Sequence, residues 1–161
     1  MGSGLEDLRM LRDAEQVADG VWKDIVGWDN FAKDAVGGQL VRAADSIGAN
    51  IAEAFGRFHY GEKLKFLYYA RGSLYETKFW FNRILARNLL ATEVVDDYVS
   101  QLAGLARQLN AFVSSIKRQR KGEVSTTIRE ADVEYIITTD DVFFTEEQIT
   151  WLETSSNLLI S

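Results

Sequence analysis

Apolar residues recur at intervals of three and four along most of the chain, with polar residues between them. Leu8, Leu11, Val17/Ala18, Val21/Trp22 and Ile25 mark one face of an amphipathic helix over about 6–27. Gly27 to Gly38 (GWDNFAKDAVGG) is a connection with room for one helical turn. A second helix is expected over about 38–57, with Leu40, Ala43, Ala44, Ile47, Ile51, Ala54 and Phe55 on its buried side. FHYG is a short turn, and a third helix follows over about 62–87 on Leu64, Phe66, Leu67, Ala70, Leu74, Tyr75, Phe79, Phe81 and Ile84. NLLA breaks the pattern. Thr92 is placed to cap a fourth helix, with Glu93 and Asp96 in its positive first turn. That helix runs to about 120 on Val95, Tyr98, Leu102, Leu105, Leu109, Phe112, Val113 and Ile116. Lys117, Arg118, Arg120 and Lys121 followed by Gly122 form a stop signal.

Four helices with short connections predict an all-α fold, an antiparallel up-down four-helix bundle over 5–122. The remainder, 123–161, is a C-terminal extension of different character. VEYIITTDDVFF (133–144) is β-branched and aromatic, and suits either a hairpin around Thr139–Asp141 or an extended wrap. Thr145 to Gln148 has the pattern of a capping box, which predicts a short helix over about 146–155. A lone hairpin is marginal in water, so the extension is expected to dock on its own bundle or a neighbour's.

Helix three holds more apolar surface than one core can absorb. Phe66 to Ala70 and Phe79 to Phe81 are consecutive apolar or aromatic runs, which place bulk on both sides of the helix. The surplus, Tyr68, Tyr69, Phe79 and Trp80, predicts an interface between subunits. Helix two has the opposite peculiarity: SIGANIAEAFGR (46–57) is small and apolar, yet carries Asn50, Glu53 and two glycines. A tight turn near residue 59 makes facing positions on helices two and three sum to about 118. Arg42 then faces Glu76, Ser46 faces Gly72, Asn50 lies near Tyr68, and Gly48 and Gly72 permit close backbone approach. Arg42, Ser46, Asn50 and Glu53, with Ser73 and Glu76 opposite, form a polar seam that fixes register.

Composition narrows the functions on offer. With no Cys, thiolate metal sites, disulfides and Cys nucleophiles are excluded, and there is no Pro to interrupt long helices. No apolar h-region follows the MGSG start, which argues against a signal peptide, and no apolar run reaches a membrane span, so a cytoplasmic protein without a membrane partner is expected. Charge is uneven. Up to Gly122 there are 17 Lys and Arg against 15 Asp and Glu, a balance of +2; from Glu123 on there are 1 against 9, a balance of −8. The one cationic cluster, Lys117, Arg118, Arg120 and Lys121, suits either a nucleic acid or the acidic extension. His59, the single His, sits in a turn, so neither a di-iron bundle site nor a Ser-His-Asp triad is expected. Asp96-Asp97 and Asp140-Asp141 read as solvated acids, and no Gly-rich phosphate loop follows a strand. Neither cofactor, metal nor enzymatic activity is expected.

QLVRAADSIGANIAEAFGR (39–57) and FLYYARGSLYE (66–76) closely resemble the S23-type four-helix-bundle family, whose members are encoded in intervening sequences of bacterial 23S rRNA genes. A relative of that family is the accessory variability determinant of diversity-generating retroelements. The resemblance is carried by Gln39, Arg42, Ala43, Ser46, Asn50, Ile51, Ala52, Glu53, Gly56 and Arg57, then Phe66, Leu67, Ala70, Gly72, Ser73, Leu74 and Glu76. The family usually has Pro where Gly48 stands and Gly where Ala54 stands. It implies a non-enzymatic homo-oligomer, typically a pentameric ring. In the retroelement members it implies a basic ring that associates with nucleic acid and a reverse transcriptase. The alternative expectation is a structural ring with no nucleic-acid role, whose acidic extension binds protein partners.

Overall fold

A computed structural model describes residues 4–124 and 142–155. The hairpin considered for 133–144 falls mostly outside these residues. Among the described residues the chain is all-α. The elements are α1 (Gly4–Ile25), a single turn α2 (Asn30–Ala32), a π turn (Lys33–Gly37), α3 (Gly38–Gly56), α4 (Tyr60–Ala86), α5 (Thr92–Val124) and a short α6 (Glu146–Glu153).

The order around the bundle is α1, α3, α4, α5, with α5 closing back on α1. Every neighbouring pair is antiparallel. Gly48 of α3 lies against Ala14 and Leu11 of α1. Asp24 and Asp13 of α1 accept hydrogen bonds from Tyr98 (2.5 Å) and Gln108 (2.8 Å) of α5, so numbers rise on one helix as they fall on the other.

The core is made by the periodicity. Met10, Ala14, Val17, Val21 and Ile25 of α1 are buried, and so are Leu40, Ile47 and Ile51 of α3, Leu67, Leu74 and Phe81 of α4, and Leu102, Leu105 and Leu109 of α5. On α1 the expected Val17, Ala18, Val21 and Ile25 are buried and Leu11 is half-buried, whereas Leu8 and Trp22 point outward and Met10 and Ala14 complete the inward stripe. Phe81 stacks on Tyr98 at 4.9 Å, and Phe55 meets Phe112 edge-on at 5.5 Å.

Connections differ from expectation in instructive ways. The connection over 27–38, expected to have room for one helical turn, is helical from Asn30 onward. Asp29 caps it by accepting from the Ala32 N–H at 3.0 Å, and the π turn then feeds α3 without a break. A Cβ at Gly37 would lie 2.6 Å from Ile25, so glycine is what lets this turn press on α1. Between α4 and α5, Asn88 takes a positive φ of 55°, a conformation Asn tolerates better than most residues. Thr92 is already helical; the Ala91 carbonyl accepts from Val94 (3.1 Å) and Val95 (3.2 Å), so Ala91 takes the cap position and the helix starts one residue earlier than expected. At the other end α5 continues through Gly122 to Val124, since one glycine costs a helix only about 1 kcal/mol.

Candidate functional site

The C-terminal segment docks on its own bundle, over α4 and α5. Its helix is set by the expected capping box: Thr145 Oγ1 accepts from the Gln148 N–H at 3.1 Å, and Gln148 Oε1 accepts from the Thr145 N–H at 2.9 Å. Phe143, Phe144, Ile149 and Leu152 are buried and join the bundle core. The anchor is Asn110 on α5. Its carboxamide donates to the Phe144 carbonyl at 2.8 Å and accepts from the Phe144 N–H at 2.6 Å, so one side chain satisfies both backbone groups of one residue.

Aromatic and cationic side chains close the groove around that anchor. Phe143 packs on Tyr68 at 5.0 Å between ring centroids, and Phe144 and Trp151 pack on Tyr75 at 5.8 and 5.7 Å. The Arg71 guanidinium lies within 5.7 Å of the Tyr75, Phe143 and Phe144 centroids. Arg107 forms a 3.4 Å ion pair with Glu153.

Two polar groups in this groove are poorly served. Lys78 is fully buried, with its ammonium 3.0 Å from Asn82 Oδ1 and 4.7 Å from the Trp151 ring, and no carboxylate pairs with it among the described residues. Burial lowers its amine to about 8. The Tyr75 hydroxyl is buried without a hydrogen-bond partner. The sequence reading placed neither residue in a site. The signal was present, since Lys78 follows Leu67, Leu74 and the other core positions around the helix closely enough to be carried inward.

The outward face of α4 is separate from the groove. Tyr69 and Phe79 are each 49% exposed, and Trp80 is half-buried. Gly72 stands between them, exposed, with nothing within 4 Å of where a Cβ would sit. Phe79 meets Trp80 edge-on at 5.0 Å, and Trp80 Nε1 donates to Glu76 at 3.4 Å. Tyr68 differs from its neighbours in this group because Phe143 covers part of it.

The residues of the polar seam part company. Asn50 Nδ2 donates to Ser73 Oγ at 3.3 Å, and the Ser73 hydroxyl donates to the Tyr69 carbonyl at 3.0 Å. Glu53 pairs with Arg57, and the Ser46 hydroxyl donates to the Arg42 carbonyl at 2.7 Å, both within α3. Arg42 is exposed and makes no ion pair with Glu76 among the described residues. The helix-to-helix register is therefore displaced by about a turn, with Asn50 meeting Ser73 rather than Tyr68. Cα–Cβ bonds tilt toward the N-terminus of each helix, so in an antiparallel pair the side chains that meet belong to positions with a larger sum than a backbone count gives. Gly48 accordingly lies in ordinary contact with α1, and Gly72 opens to solvent rather than against a helix.

The cationic cluster spreads around α5. The Arg120 guanidinium lies 4.5 Å from the Tyr60 ring centroid at the start of α4. Arg118 lines a cavity of about 370 Å³ with Asp7, Met10, Gln108 and Phe112, where α1 begins. Burial there raises the Asp7 carboxyl, with Glu6 adding to the shift and Lys63 opposing it. Lys117 is half-buried and Lys121 is exposed. On α5 the Tyr98 hydroxyl is raised by burial and by the Asp24 carboxylate it donates to, so it stays protonated. No group of three or more metal-ligating side chains occurs among the described residues, and none of the described helices is long and apolar enough to cross a membrane.

A family described as 23S rRNA-intervening sequence protein matches residues 6–111. No curated protein matches the chain. The match takes in α1, α3, α4 and most of α5, including Tyr75, Lys78 and Asn110 of the groove; the segment that fills the groove lies beyond it.

Proposed function

The chain belongs to the 23S rRNA-intervening sequence protein family, and on that premise we propose that it is a self-assembling accessory subunit with no chemistry of its own. Copies meet through the outward face of α4. The observation that carries this reading is that Tyr69 and Phe79 stay half-exposed on either side of Gly72 even after the C-terminal segment has covered neighbouring surface. An exposed glycine flanked by rings is a notch into which a partner's side chain fits, and a contiguous aromatic face of this kind is uncommon on a monomer. A pentameric ring is the assembly that the resemblance to S23-type proteins implies.

The ring presents the distal part of α5, with Lys117, Arg118, Arg120 and Lys121, to a nucleic acid or to a nucleic-acid enzyme such as a reverse transcriptase. The test has two parts. Native mass spectrometry of the full chain is expected to give a multiple of the 18.2 kDa subunit, and Phe79→Glu is expected to give the single subunit. A parent chain that remains a single subunit at tens of micromolar, by about the range where weak interfaces assemble, overturns the ring. Binding of RNA at low salt, lost when the four cations become Glu and weakened steeply by added salt, supports the nucleic-acid partner.

A second reading is a ring whose acidic extension binds the body or protein partners, with no nucleic-acid role. The Arg107–Glu153 ion pair favours it, because it shows an acidic residue of the extension already engaging a cation of the bundle. A ring that ignores RNA at low salt would leave this reading in place of the first.

A further inference from the structure

Residues 143–153 are held by the bundle in the manner of a bound peptide. Asn110 reads a backbone N–H and carbonyl at one residue, as a sheet edge would read an added strand. The aromatic contacts are to Tyr68 and Tyr75, and the segment forms its helix with its own capping box. Charge is complementary at the groove's rim: Arg107 pairs with Glu153 and Arg71 lies over the rings, while residues 142–155 carry Glu146, Glu147 and Glu153 and no Lys or Arg.

We propose that this α4–α5 groove is a docking site for the Phe143–Glu153 segment of a second copy of the chain, so that the segment is an exchangeable arm linking subunits. Three observations lead there. The first is reach. From Val124 back to Asn110 is 14 positions along α5, roughly 21 Å at the helical rise. The 17 residues from 125 to 141 can span up to about 60 Å. The chain between body and arm is therefore nearly three times as long as closure on its own subunit requires, and a neighbouring groove lies within range.

The second observation is that closure is imperfect. Docking the arm buries the Lys78 ammonium against a neutral amide and a ring, and buries the Tyr75 hydroxyl with no partner. Neither group finds a full set of partners in the closed groove, and a buried polar group so placed weakens docking and speeds release. A cover meant to stay shut has no use for either.

The third is that exchange conserves every contact. The groove and the arm are the same surfaces in either arrangement, and only the chain supplying the arm changes. A dilute chain closes on itself, because its own arm is at the higher effective concentration; packed subunits bring neighbouring arms to comparable concentration. This inference does not rest on the α4 outward face or on the ring size.

The absence of cysteine from the sequence makes the test clean. Two full-length variants, Arg107→Cys and Glu153→Cys, are mixed at the concentration where the parent assembles and treated with a short bismaleimide cross-linker. Losing this exposed ion pair has little effect on folding. The expected result is a covalent species of about twice 18.2 kDa in the mixture and in neither variant alone. The chain carrying both substitutions is expected to shift from an internal cross-link when dilute to the doubled species when concentrated. An assembled mixture that yields no doubled species, while the double variant cross-links only internally, overturns exchange and leaves the proposed ring standing. A doubled species formed equally well with Phe79→Glu in both chains supports the arm and counts against the ring. Absence of every cross-link overturns the groove contact itself.

Discussion

Between α1, α3, α4 and α5 most of the buried side chains are Leu, Ile, Val, Ala and Phe at fractional exposures near zero, and the buried hydroxyls of Thr77 and Tyr98 donate to the Ser73 carbonyl and the Asp24 carboxylate. Under α6 an ammonium and a phenol hydroxyl are buried beside Phe143 and Phe144, with the half-buried Asn110 carboxamide and Trp151 ring around them. The two regions share helices α4 and α5 but are stabilised differently. The body relies on non-directional burial, which tolerates exchange of one apolar residue for another of like volume. The groove relies on a few directional contacts and carries polar costs with them. A body of the first kind holds its shape; an interface of the second kind selects one partner and lets it go.

The contrast is broken most severely by truncating one ring from each region. Phe81→Ala is expected to cost about 3–5 kcal/mol and to lower the urea midpoint of the whole chain. Phe144→Ala, the same deletion, is expected to leave the body's midpoint in place. Its effect should appear in hydrogen exchange, as loss of amide protection confined to α6. A single transition that moves equally in both variants would show that the two regions unfold as one. Next in size is Asn110→Ala. It removes both hydrogen bonds to Phe144 and leaves that residue's N–H and carbonyl to find water, which is expected to weaken docking by roughly 1–3 kcal/mol. The readout is again α6 protection, with α1 and α3 unchanged.

The finest probe is Lys78. Burial holds its amine at about 8, against 10.5 in water. Below about 8 the group is charged whether or not the arm is docked, and docking bears the full cost of desolvating it. Between about 8 and 10.5 the docked amine has released its proton while the undocked one keeps it. The undocked state then binds more protons, so docking is expected to strengthen as pH rises through that window. Lys78→Met is expected to dock more tightly at neutral pH, by about 1 kcal/mol, and to lose the pH dependence. Trp151 fluorescence followed from pH 7 to 10.5 in a background with the other tryptophans replaced by Phe checks both statements.

Legibility in the sequence follows the same division. Ile47, Ile51, Leu67, Leu74, Leu102 and Leu109 repeat at the helical period, and a repeat can be read without coordinates. The capping box at Thr145 is equally local, because its partners are three residues apart. Asn110 and Phe144 are separated by 34 positions, and nothing in either residue names the other. Lys78 is hidden by its type: a lysine is ordinarily a surface residue, and here its place on α4 beside Leu74 and Phe81, with Trp151 over its ammonium, makes it an interior one. The Asn50–Ser73 contact lies about a turn from the position that a backbone count gives, because side chains lean toward the start of each helix. The extra aromatic bulk of α4 was visible as a surplus. That its Tyr68 and Tyr75 edge would be met by the chain's own C-terminal rings, while Tyr69 and Phe79 would not, needed the three-dimensional path.

The wide winding at Lys33–Gly37 has a bearing on how the chain tolerates insertion and deletion. A π turn accommodates one residue more than the α-helix it interrupts. Deleting a residue from 33–36 lets that winding tighten to an ordinary one, with the azimuth of α3 preserved. The same deletion a few positions later, inside α3, would rotate everything beyond it by about 100° and turn Ile47 and Ile51 away from the interior. Spare length is thus kept in a single residue upstream of α3, while α3 itself is fixed in count.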